Sequence, residues 1–195
     1  MMKLDPRTKI SVCTGISTAA LLFSTGRLGA KKRKKVNALS FGEALVKTLV
    51  DVSRVLNRNK IRHLHIGGFA VAYHGFPRAT GDIDIITPRD EKTVSRVRKL
   101  LTSDFLKPVE FYKDESSFFE SRNGEFPTIV EVMHIDSRLF EGFWKRMERM
   151  RMKGAVVNMI SLNDLILLKK QSHRPKDLID IDELNRIRSM NEERD

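Results

Sequence analysis

The sequence contains a single cysteine, Cys13, which excludes an intramolecular disulfide and fits a reducing, cytoplasmic setting. Its five histidines are scattered, and none combines with Cys13 in a zinc-type spacing. His63 and His65 share one face of an expected strand, but two ligands alone make a poor metal site. Long apolar runs are also missing. The patch Ala19–Phe23 is flanked by Ser and Thr and is too short to cross a bilayer as a helix, so no stable membrane span is expected. No internal repeat is visible. What remains is a chain of 195 residues, enough for one domain with a full core and too few for two.

Acidic residues are nearly absent from the start of the chain, and this decides how the net charge of +11 is read. Residues 1–35 carry nine Lys or Arg, including the run Lys31-Lys32-Arg33-Lys34-Lys35, against Asp5 alone. That leaves only +3 for residues 36–195, so a generic polyanion-binding fold is weakly supported. Residues 1–39 form a basic segment whose composition favours a disordered tail, or residues ahead of the true start, over an organellar transit peptide.

The domain is expected to run from residue 40 to 190, followed by a polar tail at 191–195. Ser40-Phe41-Gly42-Glu43 reads as a capping box before a helix extending to about Leu56. A strand at Ile61–Ile66 leads into Gly67-Gly68 and a short helix at Phe69–His74, which Gly75 and Pro77 stop. The strand Asp82–Ile86 is followed by a helix at Asp90–Leu101. Further strands are expected near Pro108–Tyr112, Ser117–Glu120 and Thr128–Ile135, with an Asn123-Gly124 turn between the last two. The spacing then predicts a helix over Ser137–Met150, a strand at Ala155–Ile160, and helices at Ser161–Lys170 and from Pro175 to about Arg188. Interleaved strands and helices imply an α/β (α+β) fold, a sheet with helices packed on it.

The chemistry concentrates between Ile66 and Ile86. Asp82 and Asp84 project from one face of an otherwise apolar strand, where two carboxylates repel each other unless a cation lies between them. Hard oxygen ligands favour Mg²⁺ or Mn²⁺. Gly67-Gly68, between strand and helix, lets backbone approach a phosphate closely, although such a pair is as often a plain turn. A phosphate cradle beside a metal site points to a nucleoside triphosphate. Two-metal chemistry then calls for a third carboxylate. Glu131 interrupts the apolar run Ile129–Met133 and is the first candidate; an exposed edge position is the plainer reading. Asp136 is the reserve, at a strand end where an acid more often caps a helix.

The pattern Gly67-Gly68-x-Ala70 through His74-Gly75, then Arg78-x-Thr80-x-Asp82-Ile83-Asp84, resembles the nucleotidyltransferase superfamily that includes DNA polymerase β. Within it, the chain looks most like small bacterial-type members grouped with abortive-infection toxins and antibiotic nucleotidyltransferases. The likeness spans residues 44–188, and Glu131 stands where the family more usually has Asp. It implies a mixed sheet flanked by helices, with a C-terminal helix pair at Asp164–Lys169 and Arg174–Asp180. It further implies that Asp82, Asp84 and Glu131 hold metal and that Gly67 and Gly68 hold the β- and γ-phosphates. Lys169 and Arg174 would be the cationic contacts to nucleotide or loop, oriented by Asp177. Arg78 would reach a phosphate or tie its loop to an aspartate, and Thr80 would shape that loop. His74 reads as a helix-end residue. Plainer readings stand beside these: Lys169 as a solvated helix residue, and Arg174–Asp177 as a surface ion pair. The implied reaction is NMP transfer from an NTP to a hydroxyl of RNA (often tRNA), protein or a small molecule, with an antitoxin or regulatory protein as a possible partner. A non-catalytic descendant that binds nucleotide, RNA or protein is the alternative, and a phosphoesterase is third.

Overall fold

The computed structural model describes residues 40–104, 106–111, 115–121, 127–172 and 174–193. The readings made of residues 1–39, Cys13, Tyr112 and the Asn123-Gly124 turn lie outside them. Among the described residues, no helix is long and apolar enough to cross a membrane.

Periodicity sets the first element. Leu45, Leu49, Val52 and Leu56 fall on one stripe of α1 (Ser40–Arg58) and are buried against the sheet. The chain continues through β1 (Leu64–His65), α2 (Gly67–Tyr73), β2 (Asp82–Pro88), α3 (Glu91–Asp104), β3 (Leu106–Phe111), β4 (Ser116–Ser121) and β5 (Thr128–Ile135). Then come α4 (Ser137–Arg146), β6 (Glu148–Met152), β7 (Ala155–Met159), α5 (Leu162–Ser172) and α6 (Pro175–Glu192). The strands form one seven-stranded mixed sheet in the order β3-β4-β5-β2-β1-β7-β6. β2 runs parallel to β5 and β1 to β7, while the other neighbours are antiparallel. The expected α/β (α+β) sheet with flanking helices and a C-terminal helix pair is therefore present.

Strand alternation divides the core between the two faces. Ile83, Ile85, Val130, Val132, Val157 and Met159 join α1 and α3 on one side. Leu64, Ile66 and Ile86 join Phe140 and Phe143 of α4 and Leu165 of α5 on the other. His63 and His65 are buried, their rings edge-on at 5.6 Å, and burial pushes His63 down to about 4 and His65 well below its usual value. They are neutral core residues.

One element departs from expectation. The helix predicted over Ser137–Met150 ends at Arg146, and Glu148–Met152 is an edge strand paired with β7. Lys153 and Gly154, at φ 45° and 75°, make the two-residue turn with positive φ that a tight hairpin requires. Met150 and Met152 belong to an alternating strand, not to a continuing helical stripe.

Candidate active site

The site lies where β1 hands over to α2, directly beside β2. The N–H of Ile66 donates to the carbonyl of Asp84 at 2.9 Å, and Gly67 follows at φ +62°, the left-handed region that glycine enters freely. A Cβ on Gly67 would lie 1.6 Å from Asp84 Oδ2, and one on Gly68 would lie 2.5 Å from Thr80 Oγ1. The glycines thus admit the Asp84 carboxylate and the Thr80 loop against backbone. Thr80 donates to Asp82 Oδ1 at 2.8 Å, fixing one side of that carboxylate.

Glu131 arrives from β5. In the parallel pairing of β2 with β5, Asp84 stands opposite Glu131 and Asp82 opposite Ile129. The pleat puts Asp82, Asp84 and Glu131 on one face, with Ile83, Val130 and Val132 behind them in the core. β5 is interior, between β4 and β2, so Glu131 does not occupy a sheet edge. Asp136 lies beyond the other end of β5 and accepts the N–H groups of Arg138 and Leu139 at 2.9 and 3.0 Å as the N-cap of α4.

No ion pair neutralises the three carboxylates among the described residues. Burial, then the charges of Asp82 and Glu131, raise the Asp84 carboxyl to about 6, with Lys176 and Arg174 partly opposing the rise. Burial, then Asp82, likewise raise Glu131, against Arg174 and a hydrogen bond with Ser116. This donor chemistry suits a hard divalent cation. As the side chains stand, no three His, Cys, Asp or Glu groups among the described residues already form a cage for one. The fit is one of donor type and register.

The predicted cationic residues sort differently. Lys169 is buried in the α5–α6 pair, donating to Asp177 at 2.8 Å and Asp180 at 2.6 Å. It is neither solvated nor turned out toward a ligand. Asp177 also accepts from Ser172 and, at 2.7 Å, from Arg174. Burial would raise its carboxyl, but those three donors hold it well below the usual carboxylate range. Arg174 is largely exposed and acts electrostatically on Asp84 and Glu131. Arg78 donates to Asp180 Oδ2 at 3.1 Å, while its Nε meets Oδ1 at 2.8 Å as an ion pair without an aligned hydrogen bond. It therefore ties its loop to α6. His74 is the C-cap of α2, its Nε2 2.8 Å from the Ile160 carbonyl. Sequence reasoning missed Lys176, Asp180 and Ser116. Lys176 and Asp180 are within the motif already noticed around Arg174, but Ser116 carries no sequence signal.

Comparison with known proteins decides the family. The family described as nucleotidyltransferase of unknown function, DUF6036, matches residues 43–193. The chain belongs to that family. No curated protein matches it. Among solved structures, the nucleotidyltransferase fold recurs in an antigenic nucleotidyltransferase-like protein from Paracoccidioides brasiliensis. That protein is 18% identical with a TM-score of 0.53, the match covering 73% of this chain and 75% of that one. The lincomycin-bound lincosamide antibiotic adenylyltransferase LnuA gives 18% and 0.53, covering 72% and 96%. At such identity the likeness is one of fold, and the superfamily expected from the Gly67–Asp84 pattern is the one found.

Proposed function

We propose that this protein transfers an NMP from an NTP to an acceptor hydroxyl and releases pyrophosphate. The observation that supports this most directly is the cross-strand set Asp82, Asp84 and Glu131 beside the Gly67 turn, with no ion pair to any of the three among the described residues. Asp82, Asp84 and Glu131 are the residues that would hold Mg²⁺ or Mn²⁺. Such an ion, when bound, neutralises charge on the phosphoryl oxygens and lowers the pKa of an oxygen nucleophile.

The protein's own groups divide the remaining work. The acceptor oxygen attacks the α-phosphorus, its proton passes to the Glu131 carboxylate, and the bond to the β-phosphate oxygen breaks as pyrophosphate leaves. Burial and Asp82 raise the Glu131 carboxyl, which makes its carboxylate a stronger proton acceptor. Gly67 and Gly68 bring backbone close to the phosphates. Arg174 and Lys176, the cations acting on Asp84, stabilise the departing charge. Lys169, Asp177, Asp180 and Arg78 position this apparatus, locking α6 and Arg174 against the Thr80 loop.

The test is incubation of the full chain with each α-labelled NTP and Mg²⁺ or Mn²⁺, against total RNA, total protein and a panel of hydroxylated antibiotics. Label is expected in one pool. If none is labelled while NTP still raises the melting temperature, the catalytically inactive, nucleotide-binding reading replaces this one.

A further inference from the structure

Away from the carboxylates, a cleft of about 710 Å³ opens between the end of α1, residues 58–62, Trp144 of α4 and the β6–β7 hairpin. Arg54, Arg58, Lys60, Arg62, Arg149 and Arg151 line it, and no Asp or Glu does. Six cations exceed the whole net charge of +3 carried by residues 36–195, so the excess is concentrated here. Two are partly neutralised from outside: Arg54 by Asp51 at 3.4 Å and Arg62 by Glu141 at 2.5 Å. Among the described residues, the side chains of Arg58, Lys60, Arg149 and Arg151 have no ion pair.

Arg149 and Arg151 are both exposed and project from the same face of β6, about 6.8 Å apart at the usual rise of a strand. Charged residues on an edge strand also discourage sheet-to-sheet pairing. That accounts for β6 alone, not for Arg58, Lys60 and Arg62 converging from a different segment. An aromatic surface accompanies the charge. Arg62 lies 5.8 Å over the rings of both Phe140 and Trp144, and Trp144 reaches the cleft wall. Concave positive charge beside an aromatic ring is what a phosphodiester strand with unstacked bases requires. β6 lies three strands from β2 in the sheet, roughly 14 Å at the usual strand spacing. The register also sets Arg149 and Arg151 about two and four residues along the strands from Asp84, so they stand roughly 16–20 Å from the carboxylates, a span of several nucleotides.

We propose that this cleft binds single-stranded RNA and presents it as the acceptor to the Asp82–Asp84–Glu131 site. The acceptor role rests on the transferase reading; the binding does not. Arg149 and Arg151 hold backbone phosphates, Arg58 and Lys60 flank them, and Trp144 stacks a base.

The test is fluorescence anisotropy of the full chain with a labelled single-stranded RNA of mixed sequence, titrated with salt. The run Lys31-Lys32-Arg33-Lys34-Lys35 is changed to Gln in every protein compared, so that its own affinity for polyanions sets no floor. Arg149→Gln with Arg151→Gln is expected to weaken binding at least tenfold and to flatten the log–log salt slope by about 1.4, as loss of two phosphate contacts requires. Both residues are exposed, so folding should survive, and an unchanged melting temperature checks this. Trp144→Leu should weaken binding about fivefold or more without altering the slope. Asp82→Asn with Asp84→Asn should abolish transfer and leave RNA binding intact, which separates failure of the chemistry from failure of the cleft. Unchanged affinity in the double arginine variant overturns the proposal, as does equal or tighter binding of double-stranded DNA.

Discussion

Two sets of buried or half-buried carboxylates meet at Arg174, and they are treated in opposite ways. Asp177 and Asp180 each have a cation in contact: Lys169 bridges both, Arg174 holds the first and Arg78 the second. Among the described residues Asp82, Asp84 and Glu131 have none in contact; they have the hydroxyls of Thr80 and Ser116 and the more distant Arg174 and Lys176. Charge left uncompensated in a half-buried site is costly, and folding alone gives no reason to keep it. The satisfied set joins α5, α6 and the Thr80 loop; the unsatisfied set is the one proposed above to hold a cation.

The comparison breaks most sharply under paired substitution. Asp82→Asn with Asp84→Asn is expected to reduce labelled transfer on the order of 10³-fold or more. The melting temperature should hold or rise, because repulsion is removed. A large drop in melting temperature would mean that these aspartates are structural after all. In the satisfied set the pattern inverts. Lys169→Met strands two buried carboxylates and should cost about 3–5 kcal/mol in urea unfolding. A cost below about 1 kcal/mol would place Lys169 outside the framework.

Gly67→Ala probes the seam between backbone and site. A side chain at φ +62° costs about 1–3 kcal/mol, and its Cβ would collide with Asp84. Expected are lowered stability and a larger loss of transfer than the stability change explains. An alanine variant with full activity would show that Asp84 need not lie over the turn.

Titration sharpens the same contrast through its sign. Asp84 titrates at about 6 in the fold, against about 3.9 in the unfolded chain. Between those values the folded state keeps a proton that the unfolded state has lost, so stability falls as pH rises from about 4 to about 6, then levels. Asp177 works the other way: its depressed carboxyl contributes stability above the usual carboxylate range, lost as pH drops below it. The melting-temperature profile should therefore decline on both sides of about pH 4, and Asp84→Asn should shrink only the upper decline, leaving the part that the raised Glu131 carboxyl contributes. Mg²⁺ without nucleotide should raise the melting temperature by a few degrees at pH 8 and less at pH 5, since the cation requires ionised carboxylates. Equal shifts at both pH values would argue against the carboxylates as its ligands. The smallest effect belongs to the exposed pair Arg186–Glu183, where Arg186→Ala should move stability by about 0.5 kcal/mol or less.

Local pattern made much of this visible in advance. The Asp82–Asp84 alternation, the Gly67-Gly68 break and the Thr128–Ile135 strand each rest on contacts within a few residues, where side-chain periodicity reports directly on backbone state. The edge strand Glu148–Met152 was not legible, because Met147 and Met150 extend the helical stripe of Ser137–Arg146 and only pairing with β7 decides otherwise. Asp136 shows the reverse: its place just before a helix already suggested a cap, and a cap it is.

By itself, then, the sequence determined an α/β chain with a glycine turn, a two-aspartate strand and a charge excess gathered at its start. Tertiary structure decided which acids stand together and which cations reach them. Glu131 comes opposite Asp84 only through a parallel pairing across some 47 residues, and Lys169 becomes an internal brace only when α6 folds back on α5. The cleft of Arg58, Lys60, Arg149 and Arg151 forms in the same way, from segments distant in the chain. Electrostatics depends on distance in space and on exclusion of water, and neither can be read from position along a chain.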